Sequence, residues 1–215
     1  VLAMSSFDKK AVIHQFTINK TSYNLQTNQP YIPGTSLKGS MRTAYLNALA
    51  KVKNISKCGK SDELETKLLD RFEGKEKMSS DPFRLVKVSD LLPVGEIKTK
   101  IVYAVNRKKT KSDMALLSEK GGVYQIFETI QPGAVFEGTI NINKPEQTAG
   151  IKLPITADSL KSSLNKFYIP LLETEMKTLK GLDISAPIIN AVNAKFKGLI
   201  NKTVFFVSIG SAKLY

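Results

Sequence analysis

The run Tyr31-Ile-Pro-Gly-Thr-Ser-Leu-Lys-Gly-Ser-Met-Arg-Thr-Ala leaves the chain few folds to choose from. Proline has no N–H for a strand ladder and holds the residue before it extended, so a strand must end near Tyr31 and Ile32. Pro33-Gly34 turns the chain. Leu37, Met41, Ala44, Tyr45, Ala48, Leu49 and Val52 then recur at helical spacing. The pattern predicts a helix over 36–52 that buries this stripe and leaves Lys38 and Arg42 off it. Thr35 and Ser36 are residues whose hydroxyls can cap a first turn. Gly34 and Gly39 let a partner approach the backbone. A helix N-terminus attracts phosphate, and Lys38 and Arg42, four residues apart, add positive charge on one face. The same pattern also describes a capped helix with two solvated cations, and spacing alone does not choose between them.

Charge bears on the choice. The 215 residues carry 32 Lys and Arg against 19 Asp and Glu, a net charge of +13. Such a balance points to a polyanionic partner, nucleic acid first and an anionic membrane surface second. No apolar run approaches the ~20 residues that span a bilayer. The opening residues Val1–Ser6 are too short an apolar run, without a basic start, to make a signal peptide. The single cysteine, Cys58, rules out an internal disulfide and fits a reducing cytoplasm, the expected location. With one His and one Cys a conventional zinc site is not expected, nor is any other metal or cofactor.

Strand and helix patterns are interspersed, which predicts an α+β fold. Ala11–Ile18 is apolar on both faces and reads as a buried strand containing His14. Asn24–Pro30 is rich in turn residues. Asp62 and Glu65 form a capping-box pattern for a helix over Asp62–Phe72. Phe83–Ser89 and Ile97–Val105 alternate as strands. Val123–Ile130 and Val135–Ile142 flank Gln131-Pro-Gly-Ala, a type II turn sequence, and read as a hairpin. Thr156–Leu182 is helical with an interruption at Pro170, Ala186–Leu199 is a further helix, and Thr203–Ile209 a last strand.

Two more basic segments join the candidate set. Arg84 and Lys87 stand on the Phe83–Ser89 strand, either on a polyanion-binding face or protecting an edge. Arg107, Lys108 and Lys109 form a charged loop between strands, either solvated or a finger closing over a backbone. Catalytic chemistry finds little support. His14 lies on an apolar strand, no serine or cysteine motif accompanies it, carboxylates do not cluster at metal spacing, and no glycine-rich nucleotide loop is present. Asp90, closest to the basic motifs, is expected to cap or to bond a turn.

The Tyr31–Arg42 run resembles the Ile-Pro-Gly-Ser-Ser-Leu-Lys-Gly signature of the RAMP superfamily of CRISPR-associated backbone proteins. Leu85-Val-Lys-Val-Ser-Asp and Phe127-Glu-Thr-Ile-Gln-Pro-Gly-Ala-Val-Phe-Glu-Gly-Thr-Ile are similar to a strand and a hairpin of one branch. That branch is the subunit capping the 3′-end side of the guide RNA (crRNA) in type III-A Csm effectors. The resemblance implies a ferredoxin-like (RRM-like) core over residues 1–215, with a helical insertion over about 156–200. It implies a non-catalytic, cytoplasmic subunit that binds crRNA, sits beside other Csm-type subunits and supports crRNA maturation by recruiting host nucleases, in antiviral defence. The guide would be gripped through Gly34, Thr35, Ser36, Lys38 and Arg42, with Arg84, Lys87 and the 107–111 loop extending the track. Thr35 and Ser36 would supply 2′-OH contacts. The family's glycine-rich terminal loop has only Ser208-Ile-Gly-Ser-Ala-Lys in its place. Two alternatives stand beside this reading. One is the internal, RNA-cutting subunit of the same complexes, for which Asp8 is the upstream carboxylate; the other is a basic interaction protein without RNA affinity.

Overall fold

The computed structural model describes residues 17–55, 59–104, 125–146, 150–180 and 207–209. Strands and helices are mixed, and the fold is α+β. The chain divides into two units: Val1–Ile32 with Leu91–Glu137, and Pro33–Asp90 with Gly138–Tyr215.

In the first unit β1 (Ile18–Asn19), β2 (Tyr23–Asn24) and β3 (Gln29–Pro30) precede Pro33. The β2–β3 turn closes through Asn24, whose Oδ1 accepts the N–H groups of Gln26 and Thr27. Past Asp90 come β5 (Leu92–Pro93), β6 (Thr99–Ala104), β7 (Gln125–Ile130) and β8 (Phe136–Glu137). The main sheet has the order β1-β7-β6, with β1 parallel and β6 antiparallel to β7. Ile126 of β7 and Ile97, ahead of β6, are buried. Glu128 fastens this unit, accepting from Tyr23 Oη at 2.8 Å and Thr99 Oγ1 at 2.9 Å.

The second unit holds the larger core. It contains α1 (Gly34–Val52), α2 (Ser61–Leu69), two 3-10 turns at Gly74–Lys77 and Pro82–Leu85, the paired strands β4 (Val86–Val88) and β9 (Ile140–Ile142), and α3 (Ala157–Lys180). Leu37, Met41, Ala44 and Tyr45 of α1 are buried, as the helical spacing predicts, with α3 packed on α1, but Ala48 and Leu49 are half-buried and Val52, at the helix end, is exposed. Leu160, Leu164 and Tyr168 fill the α3 side, Leu68 and Leu69 the α2 side. The Tyr45 ring meets Phe83 edge-on at 5.6 Å. Tyr168 Oη donates to the Ser40 carbonyl at 3.1 Å.

Several expectations are corrected. The segment around Arg84 is a 3-10 turn, because Pro82 fits a helical first position and the buried Asp81 accepts the Phe83 N–H; only Val86–Val88 is strand. The Gln131–Ala134 turn forms, with Ala134 N–H donating to the Gln131 carbonyl and Gly133 at φ +93°. Its flanks do not pair as a hairpin, since β7 pairs with β1 and β6, β8 with β5, and β9 with β4. Asp62 and Glu65 make no capping box; α2 begins at Ser61 without a side-chain cap, and both carboxylates serve basic side chains instead. Helix α3 runs through Pro170. That proline is exposed, where water can take the carbonyl its missing N–H frees. The segments at Asp8, His14, Arg107–Lys109 and Ala186–Leu199 lie outside the described residues. Among the described residues no helix is long and apolar enough to cross a membrane.

Candidate nucleic-acid interface

Helix α1 starts from an extended Pro33 (φ −60°, ψ 128°), and no side chain of its own caps it. Thr35 and Ser36, expected as caps, lie inside the first turn. The cap comes from far along the chain: the Gly34 N–H donates to Asp90 Oδ1 at 2.7 Å. This satisfies one of the free N–H groups at the helix start and places a negative charge against the dipole's positive end. The two sequence motifs therefore meet, the Val-Ser-Asp strand end serving the Pro-Gly helix start. Their approach is tight. A Cβ at Gly34 would stand 2.6 Å from the Val88 carbonyl oxygen and closer still to that of Ser89.

Strand β4 brings Lys87 alongside. Its partner β9 pairs Lys87 with Asn141 and Val88 with Ile140. One step on, Ser89 N–H donates to the Thr139 carbonyl at 3.0 Å and Thr139 N–H to Ser89 Oγ at 2.8 Å. Side chains alternate across a strand, so Lys87, Ser89, Thr139 and Asn141 share one face of the ladder. Val86, fully buried, faces the other way. The polar face and the first turns of α1 bound an open groove of about 400 Å³. Gly34, Thr35 and Lys38 form one wall, and the four polar strand residues with Val88 form the other. Among the described residues no carboxylate lines it.

The electrostatics of Lys38 fit an anion site. Burial lowers the pKa of its ammonium and the charge of Lys87 lowers it further; Asp81 pulls the other way, and Arg42 adds the least of the downward effects. A phosphate in the groove would relieve this like-charge crowding.

The candidates divide. Gly34, Thr35, Lys38 and Lys87 come together at the groove. Ser36 is exposed on the first turn but is not part of the groove's lining. Arg84 donates to the Ser79 carbonyl at 2.8 Å, away from the lining. Arg42 is the main correction. It does not stand beside Lys38 as a second open cation, because its guanidinium is held by Asp81 (3.1 and 2.8 Å) and Glu65 (2.6 Å) and lies over the Phe83 ring. Burial would lower its pKa, but the bonds to Asp81 and Glu65 overcome this and raise it. Arg71, almost fully buried, completes the cluster through Asp81 at 2.9 Å. A fork with this many carboxylate bonds is committed to the fold. Arg107, Lys108 and Lys109 lie outside the described residues.

Sequence reasoning passed over Thr139 and Asn141. Their signal was present in Thr139-Ile-Asn-Ile142, where polar residues alternate with apolar ones. It reads as the wet side of a strand until pairing sets it against Lys87. Among the described residues no cluster of three or more His, Cys, Asp or Glu is placed to hold a metal.

Comparison with known proteins agrees with the fold. The chain matches a crystal structure of T. onnurineus Csm5 at 17% identity and TM-score 0.56, over 91% of this chain and 64% of that one. It matches a chain of a cryo-EM Csm-crRNA-target RNA ternary complex of a type III-A CRISPR-Cas system at 18% identity and TM-score 0.52, over 89% of this chain and 60% of that one. The chain thus spans less than two thirds of either protein. No curated protein matches it. The family model for the RAMP superfamily matches residues 15–213. With a signature helix start, an α+β fold and a match over nearly its whole length, the chain belongs to the RAMP superfamily.

Proposed function

We propose that this chain is a non-catalytic RNA-binding subunit of a type III-A CRISPR effector complex. It holds the sugar–phosphate backbone of a crRNA in the groove of Lys38 and Lys87 and caps the 3′-end side of that guide. Other Csm-type subunits adjoin it, and host nucleases recruited nearby mature the guide. The observation that carries the reading is the groove itself: two lysines from separate elements, backed by a net charge of +13, with no lining carboxylate among the described residues. Lysines present point charges to phosphate without reading bases, which suits a subunit that must accept any guide. The fold likeness to Csm5 and to a chain of a Csm-crRNA-target RNA complex supports the choice of partner. The acidic side chains nearest the groove support a scaffold, because Asp81 is bound by Arg42 and Arg71, and Asp90 caps α1.

The test is the salt dependence of binding to single-stranded RNA. Neutralising Z phosphates gives a log–log slope of about −0.7Z. Lys38→Ala combined with Lys87→Ala should flatten that slope by roughly one to two units and weaken every RNA sequence alike. A double variant that keeps the full slope, or loses only one sequence, would sink the proposal.

A further inference from the structure

We propose that Asn141 and Thr139 make the groove selective for ribose over deoxyribose; this deepens the RNA-backbone reading above and rests on it. The argument starts from register. Asn141 lies directly across the ladder from Lys87, and Thr139 across from Ser89, so both stand on the face that carries the lysine. A phosphate held by Lys38 and Lys87 would bring its adjoining sugar to that face. The 2′-hydroxyl both donates and accepts a hydrogen bond. Asn141 offers an amide NH₂ and a carbonyl, and Thr139 a hydroxyl, so each can meet it in either sense.

On this face of the ladder, Ser89 is otherwise engaged. The Ser89 hydroxyl donates to the Asp90 carbonyl and accepts the Thr139 N–H. The side chains of Asn141 and Thr139 are exposed and bond to nothing among the described residues, so contact with a sugar displaces only water. Neither residue is charged. Their removal leaves the phosphate attraction in place, and sugar selectivity separates from affinity.

The experiment compares a fluorescent oligouridine with the oligodeoxyuridine and the 2′-O-methyl oligouridine of the same length. The full chain is used, as wild type and as Asn141→Ala with Thr139→Val. The wild type should prefer the ribose strand over both others. In the double variant that preference should shrink by about thirtyfold, the sum of two ordinary hydrogen bonds. Deoxy affinity and salt slope should stay as they were. Both sites are exposed and valine keeps the β-branch, so the unfolding midpoint should not move. An unchanged ribose preference in the folded double variant overturns the inference. So does an equal loss on all strands, or a wild type that binds every strand equally, and these three results leave the RNA-backbone reading standing. A wild type that binds no strand overturns both.

Discussion

Residue 34 is glycine because of what touches it. Its φ is not among the positive ones, so the backbone would admit any residue; the carbonyls of Val88 and Ser89 would not. Those atoms are strand backbone and cannot swing aside. We expect Gly34→Ala to destabilise the chain by about 1–3 kcal/mol in urea unfolding, the range for overpacking. At Gly39, further along α1, a methyl would meet nothing within 4 Å, and Gly39→Ala should stabilise by roughly 0.5–1 kcal/mol. Equal effects at the two sites would refute this account of Gly34. The need for small residues here was legible in the sequence, but its cause was not. The atoms that forbid a side chain belong to a strand some fifty positions away, as the 56-residue span of the Gly34–Asp90 bond records. Arg42 failed to read correctly for the same kind of reason. Four-residue spacing set it beside Lys38, while Asp81 and Glu65, 39 and 23 residues distant, decided where its charge went.

At the scale of elements, Asp81 joins α1, the segment just past the end of α2 and the following 3-10 turn through Arg42, Arg71 and its own cap on Phe83. Burial alone would raise its pKa. The bonds from Arg42 and the Phe83 N–H, and the two arginine charges, overcome this and hold the carboxyl below its usual value. The unfolded chain therefore takes up this proton first as pH falls. The stability Asp81 contributes is complete above the ordinary carboxylate value of about 4 and is lost as pH drops through the lower folded value. Asp81→Asn should cost about 1–3 kcal/mol at neutral pH, since it takes away the buried carboxylate that Arg42 and Arg71 share and leaves them only Glu65 and Asp62. The gap between wild type and variant in urea unfolding should narrow below about pH 4. A gap independent of pH would show that the ion pairs contribute nothing. Among the elements, α1 was legible because its stripe has one period and one buried face. The partners of β7 were not, because a turn sequence predicts a hairpin while parallel pairing with β1 depends on residues more than a hundred positions away.

For the whole molecule, charge and family were readable from sequence, and the groove was not, since its walls are drawn from three stretches. We expect the assembled guide complex to cut target RNA no differently when this subunit carries Asp8→Ala, as gel analysis of the products would show. Loss of a cleavage event would favour the internal, RNA-cutting branch instead. The way the groove is assembled has a further consequence. Its walls are joined by bonds that span 56 and 50 residues of chain, so no single fragment holds the site. A nucleic acid seated there would touch all three stretches at once and act as a removable staple, closing long loops that the empty protein must hold shut unaided. Loading would then double as proofreading: a misfolded copy, with its lysines apart, would offer a nucleic acid nothing to grip, while a sound copy would become harder to unravel once filled.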